Sequence, residues 1–362
     1  MKIGIVTQPL SRIYGGILQN YALQQTLIKL GHYPYTFDLG KFTWKDWFGV
    51  TIKSIINLII GRPYAFVDIP PKRHQQERIL RQFVNDKINL ILPRSYNPLI
   101  EQVKKYNLEA IIVGSDQVWR PKYNRCIEDM FLKFAENLKL VKIAYAASFG
   151  TNRWEYTEEQ TKLCKSLVQH FDAISVREKS GVDLCKKYLG VDATHILDPT
   201  LLLTAEQYNN LIVHIPKSKS QYVFAYILDI TNEKIEYIRR CASHLGLKLI
   251  IKSAHSHLSI TDSIEGWLTN FRDAEYIITD SFHGCAFSII FNKYFNVVLN
   301  QERGADRILS LLTNLELLNR LVDLQQINDH NQINTNIDWN NVNDRLSHLK
   351  LAAIDFIRNN LS

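Results

Sequence analysis

The feature that most constrains this chain is an alternation, begun twice, of short β-branched runs with stretches of helical periodicity. In the first half the runs are Ile3 to Thr7, Tyr33 to Asp38, Ala110 to Val113, Lys142 to Ala146 and Ala173 to Ser175, with a helical pattern over Leu18 to Leu30. That rhythm predicts a parallel sheet with crossover helices, because parallel neighbours need a long connection and strands buried on both faces read as continuous apolar runs. After Leu197-Asp198-Pro199-Thr200 the rhythm restarts with Tyr222 to Leu228, a helix near Glu233 to Leu245, Lys248 to Ile251, a helix near Ile264 to Arg272, and Tyr276 to Thr279. Asp-Pro is a natural seam, since proline keeps the residue before it out of the helical region. The expected layout is α/β with two domains, residues 1–197 and 198–336. The loop-like stretch Asp323 to Asn336 then leads to a closing helix in residues 337–362. A chain of 362 residues has room for two such units.

Charge and cysteine usage narrow the function. The five cysteines are scattered with no C-x-x-C pair, so neither a disulfide framework nor a zinc site is indicated. His255 and His257 form an H-x-H without a carboxylate or cysteine spaced to complete a metal site, and no cofactor site is read from the chain. The N-terminus, Met1 to Val6, runs into a strand-like segment without a long apolar leader, which predicts a cytoplasmic protein. The formal net charge is +7, and residues 41–105 alone hold 12 basic against 5 acidic side chains. Within that insertion Trp44, Phe48, Ile52, Ile55, Ile56 and Ile59 recur at helical spacing. A basic amphipathic helix of this kind either packs on the core or rests on anionic headgroups at the inner face of a membrane. Its apolar run is far too short to span a bilayer, and no nucleic-acid-binding signature accompanies the basic residues.

Four polar clusters follow predicted strands, where open α/β sheets bind ligands. The first, Ser11 to Gly16, is a glycine-containing turn before a helix expected from near Ile17; it is a ligand site or simply a tight turn. The second is Gly114-Ser115-Asp116-Gln117-Val118-Trp119-Arg120. In the third, Ser175 to Gly181, Arg177 offers a guanidinium fork to a carboxylate or phosphate, unless it merely pairs with Glu178. The fourth is Thr279-Asp280-Ser281-Phe282-His283-Gly284, whose histidine at a strand-to-helix turn suits acid-base work.

Taken together, these segments resemble the polysaccharide pyruvyl transferase family. The matching stretches are Tyr14 to Gln24, including Gly15, Gly16, Gln19 and Asn20, then Gly114 to Trp119, Tyr145 to Gly150, Ser175 to Gly181, Leu197 to Leu203, and Thr279 to Ile290. The resemblance implies two Rossmann-like domains facing across a cleft, as in GT-B glycosyltransferases, with a final helix returning to the N-terminal domain. It implies phosphoenolpyruvate as donor and the hydroxyls of a sugar or lipid-linked oligosaccharide as acceptor. Arg177 resembles the family arginine that holds the donor, and His283 the family's catalytic histidine. Better characterised relatives carry an arginine two residues before that histidine, where this chain has Ser281, so Arg177, Lys179 or a backbone N–H near His283 is expected to take over. The candidate site is thus His283 and Asp280 for catalysis and Arg177, Lys179, Ser281 and Gly284 for the donor. Tyr14, Gly15, Gly16, Gln19, Asn20, Ser115, Asp116, Gln117 and Trp119 are the candidates for the acceptor. Ketal formation needs an acid for the enolpyruvyl methylene carbon, and a histidine titrating near neutrality would serve. The competing readings are a sugar-nucleotide glycosyltransferase on the same architecture and a non-catalytic glycan-binding protein.

Overall fold

Two all-parallel sheets carry the fold, as the twofold rhythm predicts. The computed structural model describes residues 1–11, 13–40, 71–95, 97–124, 126–253, 262–300, 304–324 and 336–361, with backbone only for 71–76. The amphipathic pattern from Trp44 to Ile59, and His255 and His257, lie outside the described residues.

The first sheet has seven strands: β1 (Lys2–Val6), β2 (Tyr33–Leu39), β3 (Leu90–Ser95), β4 (Ala110–Val113), β5 (Val141–Ala147), β6 (Ala173–Val176) and β7 (Thr194–His195), in the order β3-β2-β1-β4-β5-β6-β7. β1 and β4 are central, with Ile5 opposite Ile112 and Val6 opposite Val113, and all of these are buried. The order reverses between them, so their C-terminal ends form the crevice where such sheets bind ligands. The second sheet has β8 (Tyr222–Ile227), β9 (Lys248–Ser253), β10 (Tyr276–Thr279), β11 (Tyr294–Val298) and β12 (Leu321–Val322), in the order β12-β11-β10-β8-β9. Its reversal falls between β8 and β10.

The helix Tyr14–Lys29 fixes how the two sheets meet. It begins three residues before the expected Ile17 and is buried nearly all round, because it lies between the domains rather than on a surface. Its apolar residues Tyr14, Ile17 and Leu18 share one core with Phe224, Trp267 and Phe287 of the second domain. Tyr14 stacks on Trp267 with ring centroids 5.4 Å apart, and its hydroxyl donates to the Asp262 carbonyl at 2.6 Å. Its buried amides are bonded inward: Gln19 donates to Thr7 Oγ1 at 3.0 Å and to the Gly16 carbonyl, Asn20 Oδ1 accepts from Thr36, and Gln24 donates to Thr36 and the Asn89 carbonyl.

The closing helix Trp339–Asn360 starts on the shared core through Val342 and Leu346. It ends against β1 and the first helix, where Ala353, Ile357 and Leu361 meet Ile3, Ile5, Leu23 and Leu27. The C-terminus therefore returns to the first domain. Among the described residues no helix is long and apolar enough to cross a membrane.

Candidate active site

Five charged or titratable side chains from both domains converge where the two sheets meet. Arg177 follows β6, Asp116 follows β4, and Asp198 lies in the turn between the domains; His283 and Arg307 come from the first turns of the helices Phe282–Ile290 and Ala305–Asn314. None is more than 8 % exposed. Arg177 Nη1 donates to Asp198 Oδ2 at 2.6 Å, and its Nη2 reaches Asp116 Oδ1 at 3.4 Å. Arg307 Nη1 stands 3.8 Å from the same Asp116 oxygen, and His283 Nε2 stands 3.9 Å from Asp198 Oδ2.

Asp198, which the sequence marked as a seam and as part of the matching stretch Leu197 to Leu203 without giving it a role, is the centre of this network. Its Oδ1 accepts from the backbone N–H and hydroxyl of Thr200, and its Oδ2 from Ser115 Oγ and Arg177. Burial alone would raise its pKa, but Arg177, His283 and the Thr200 bonds outweigh that and hold it at about 2. Asp116 is likewise held below the ordinary carboxylate range, its burial outweighed by Arg177, His283 and Arg307. Asp116 also sits at φ +78°, and the adjacent Ala146 at +48°, a left-handed backbone that non-glycine residues adopt at a cost. These two positions adjoin through the Asp116–Ala147 bridge, where the β5 register slips.

Burial, reinforced by Arg177 and Arg307 and opposed by Asp198 and Asp116, pushes His283 down to about 4. At neutral pH the imidazole of the free protein is therefore neutral, which corrects the expectation of a histidine titrating near neutrality. Its Nε2 has no hydrogen-bond partner, nor does Arg177 Nε or Glu178 Oε2, all of them buried. Arg307 is lowered to about 10 by burial and by Arg177, and remains charged at neutral pH.

Glycines permit this convergence. A Cβ on Gly15 would lie 1.9 Å from His283 Nδ1, and one on Gly304 would lie 2.5 Å from the Gly150 carbonyl oxygen. Gly15 and Gly16 thus belong to the first turn of a helix and not to a strand-to-helix turn; Gly15 is bare because the other domain's imidazole packs on it.

The remaining candidates have other surroundings. Asp280 is not bonded to His283: its carboxylate accepts from the Leu228 and Asp229 backbone N–H groups at 2.6 and 3.2 Å and from Lys234 Nζ at 2.7 Å. Ser281 caps its helix by accepting from the Gly284 N–H, and Gly284 is small because a Cβ there would meet Thr279 Oγ1 at 2.1 Å. Lys179 is exposed, and its backbone N–H donates to Ser310. Trp119 is fully buried, stacked on Phe131 with its indole N–H bonded to the Met130 carbonyl, so it supports the 114–120 loop from below. Gln117 lies over bare Gly150 and accepts from Arg120. Tyr14 is engaged in the interdomain contacts described above, while Gln19 and Asn20 are bonded there through one atom each and leave Gln19 Oε1 and Asn20 Nδ2 buried without a partner. Arg177 does not pair with Glu178, whose Oε1 instead accepts from Ser148 Oγ and the Phe149 and Gly150 N–H groups.

Arg307 is the site residue that motif reading missed, and Asp198 the one to which a matching stretch gave no role. A signal for Arg307 exists: it lies on the buried stripe of its helix with Ile308, Leu311 and Leu312, where an arginine has no place unless charge awaits it.

The polysaccharide pyruvyl transferase family profile matches residues 14–302, which takes in Gly15, Asp116, Arg177, Asp198 and His283 but neither Gly304 nor Arg307. The chain belongs to that family. No curated protein sequence matches it. Among solved structures, the UDP-GlcNAc 2-epimerase from Neisseria meningitidis bound to UDP-GlcNAc superposes with a TM-score of 0.51 at 9 % identity, covering 100 % of this chain and 99 % of the other. Arabidopsis thaliana UGT89C1 complexed with UDP gives 0.51 at 10 % identity, covering 98 % and 95 %. At such identities the likeness is one of fold alone, and this pyruvyl transferase family member has the GT-B architecture of two Rossmann-like domains.

Proposed function

We propose that this protein transfers the pyruvyl group of phosphoenolpyruvate to two hydroxyls of a sugar in a surface-glycan precursor, forming a ketal and releasing phosphate. The observation that carries the reading is the meeting of Arg177, Arg307 and His283 from both domains around one point. Two guanidiniums suit a donor with a carboxylate and a phosphate, because each fork matches two oxygens and its charge persists. Arg307 supplies the second cation that Ser281 does not. The donor enters when the domains part, since these groups are buried where the domains are packed together.

The chemistry balances around one imidazole. A bound anion beside His283 favours its charged form, and the protonated ring gives its proton to the methylene carbon, leaving an oxocarbenium-like centre. The first sugar hydroxyl attacks that centre and returns a proton to His283, which passes it to the departing phosphate as the C–O bond breaks. The second hydroxyl attacks and leaves its proton on the ring. Two hydroxyl protons are released, one ending on the methyl group and one on phosphate. Asp198, held ionised beside Nε2, stabilises the imidazolium.

Asp280 speaks against the rival use of a sugar nucleotide. The second sheet reverses between β8 and β10, where doubly wound domains take phosphates, and there the N–H groups of Leu228 and Asp229 and the Lys234 ammonium already hold Asp280's carboxylate. The discriminating experiment is turnover of phosphoenolpyruvate against a panel of free and lipid-linked sugars, read by mass. A gain of the pyruvate ketal with phosphate release is expected; release of a nucleotide from a sugar nucleotide instead would replace this reading. The segment 41–105 is no insertion, since Leu90–Ser95 is a strand of the first sheet and Leu80, Phe83 and Val84 join the core; its excess of basic residues still supports a lipid-linked acceptor met at an anionic membrane surface. Sedimentation with anionic vesicles that weakens with salt is the expected outcome.

A further inference from the structure

Arg177 and Arg307 come from different domains, yet they share two neighbours. One is Asp116 Oδ1; the other is the ring of Phe282, whose centroid lies 4.7 Å from the Arg177 guanidinium carbon and 5.7 Å from that of Arg307. The ring is 4 % exposed and meets the His283 imidazole edge-on at 5.2 Å. Two buried guanidiniums this close repel each other, and each adds to the other's cost of desolvation. Asp116 and Asp198 already offset part of that repulsion; a further carboxylate would neutralise the cations and compete with an incoming anion. An aromatic face attracts both through its quadrupole while carrying no net charge, so it orients the arginines without neutralising them.

We infer that Phe282 is a positioning residue for anion binding: one ring from the second domain orients the guanidiniums of Arg177 and Arg307 together, and so assembles the donor clamp only when the domains are packed. This rests on the proposed use of phosphoenolpyruvate. The role belongs to the ring's electrons and not to its volume, which separates it from ordinary packing.

The test replaces Phe282 with mono-, tri- and pentafluorophenylalanine, which keep the shape of the ring while progressively cancelling its quadrupole. Phe282→Leu serves as the ring-free member. Phosphoenolpyruvate and inorganic phosphate binding are followed by calorimetry on the full chain, and turnover is followed in parallel. The expected result is a graded loss of affinity for both anions, reaching about tenfold for the pentafluoro ring, as a desolvated cation–π contact warrants. KM for the acceptor should stay unchanged, and the Arg177 Nε–H resonance should lose its ring-current shift in Phe282→Leu. A flat affinity across the series in a protein that turns over normally would overturn the inference, as would absence of anion binding by the wild type. Graded anion binding without any phosphate release would support the positioning role while overturning the proposed reaction, so the two failures are distinguishable.

Discussion

Gly15 and His283 belong to different domains, and they face each other so closely that a methyl group on the glycine would sit 1.9 Å from the imidazole Nδ1. The contact makes the first helix part of the site although its amides and Tyr14 are engaged elsewhere. Neighbouring Gly16 is unlike it, since a Cβ there would lie 3.4 Å from Asp116 Oδ2 and 3.8 Å from Ile13.

Gly15→Ala must therefore displace the imidazole or separate the domains, whereas Gly16→Ala asks for only a small adjustment. A displacement of about 1 Å at a reacting group costs on the order of a hundredfold in rate. Gly15→Ala is expected to lose that much in kcat while remaining folded by circular dichroism, and Gly16→Ala to stay within about fivefold of wild type. Equal activity of the two variants would deny the Gly15 contact any part in turnover.

Replacing either arginine by lysine keeps the charge and loses the fork. Arg177 uses one arm on Asp198 and the other on Asp116, so an ammonium cannot reproduce its geometry. Arg177→Lys and Arg307→Lys are expected to raise KM for phosphoenolpyruvate by about 10- to 100-fold, the weight of hydrogen bonds between charged groups, with acceptor KM nearly unchanged. Initial rates with each substrate varied in turn provide the measurement. Parallel loss toward both substrates would remove the donor-clamp role.

How much of this was legible in the sequence follows from the range of the interactions. The strands were readable because central parallel strands such as Ala110–Val113 are apolar throughout, a local property. The start of the first helix at Tyr14 was not, because glycines are poor helix formers and Gly15 is explained only by an imidazole 268 positions away. His283 and Arg177 were found because each stands at a strand end among residues that suit chemistry. Asp280 stands in the same kind of place, and only the fold reveals that its carboxylate closes the end of β8. Asp198 stood in a matching stretch, but its role was hidden by its proline, which reads as a boundary whether or not the aspartate carries a charge network. Arg307 lay beyond every quoted motif and gave itself away only through the apolar stripe it interrupts.

The network also sets the acid stability of the fold. His283 is held at about 4, below its ordinary 6.5, so the unfolded chain takes up its proton first. The associated stability is fully present above pH 6.5 and is lost as pH falls from there towards 4. Asp198, lowered from 3.8 to about 2, contributes stability that is complete above pH 3.8 and disappears as pH falls through 2. In His283→Asn the loss of stability between pH 6.5 and 4, read from urea midpoints, should be shallower than in wild type. Asp198→Asn removes the nearer of the two carboxylates on Arg177 and should cost about 3 to 5 kcal/mol at pH 7, the usual penalty for breaking a buried pair. An Asp198→Asn protein as stable as wild type would mean that Arg177 is not held by this carboxylate.

The same histidine predicts a proton taken up with the donor. In the free protein its pKa of about 4 leaves the imidazole neutral at pH 7, with Nε2 lacking any hydrogen-bond partner. An anionic donor set between Arg177, Arg307 and His283 offsets the two positive neighbours that help depress the ring, and offers Nε2 an acceptor. Both effects favour the imidazolium and raise its pKa. Phosphoenolpyruvate binding at pH 7 should therefore draw a proton from solution. Calorimetric titration in buffers of different ionisation enthalpy is expected to show an uptake approaching one proton per donor bound, and His283→Asn should abolish it while still binding the donor. Turnover in that variant should fall by about 10² to 10⁴, the usual contribution of a positioned acid-base group. Donor binding with no difference in proton uptake between wild type and His283→Asn would leave the imidazole neutral throughout, and the acid for the methylene carbon would have to be sought in Glu178, a buried carboxyl whose pKa is raised by burial and whose Oε2 has no partner.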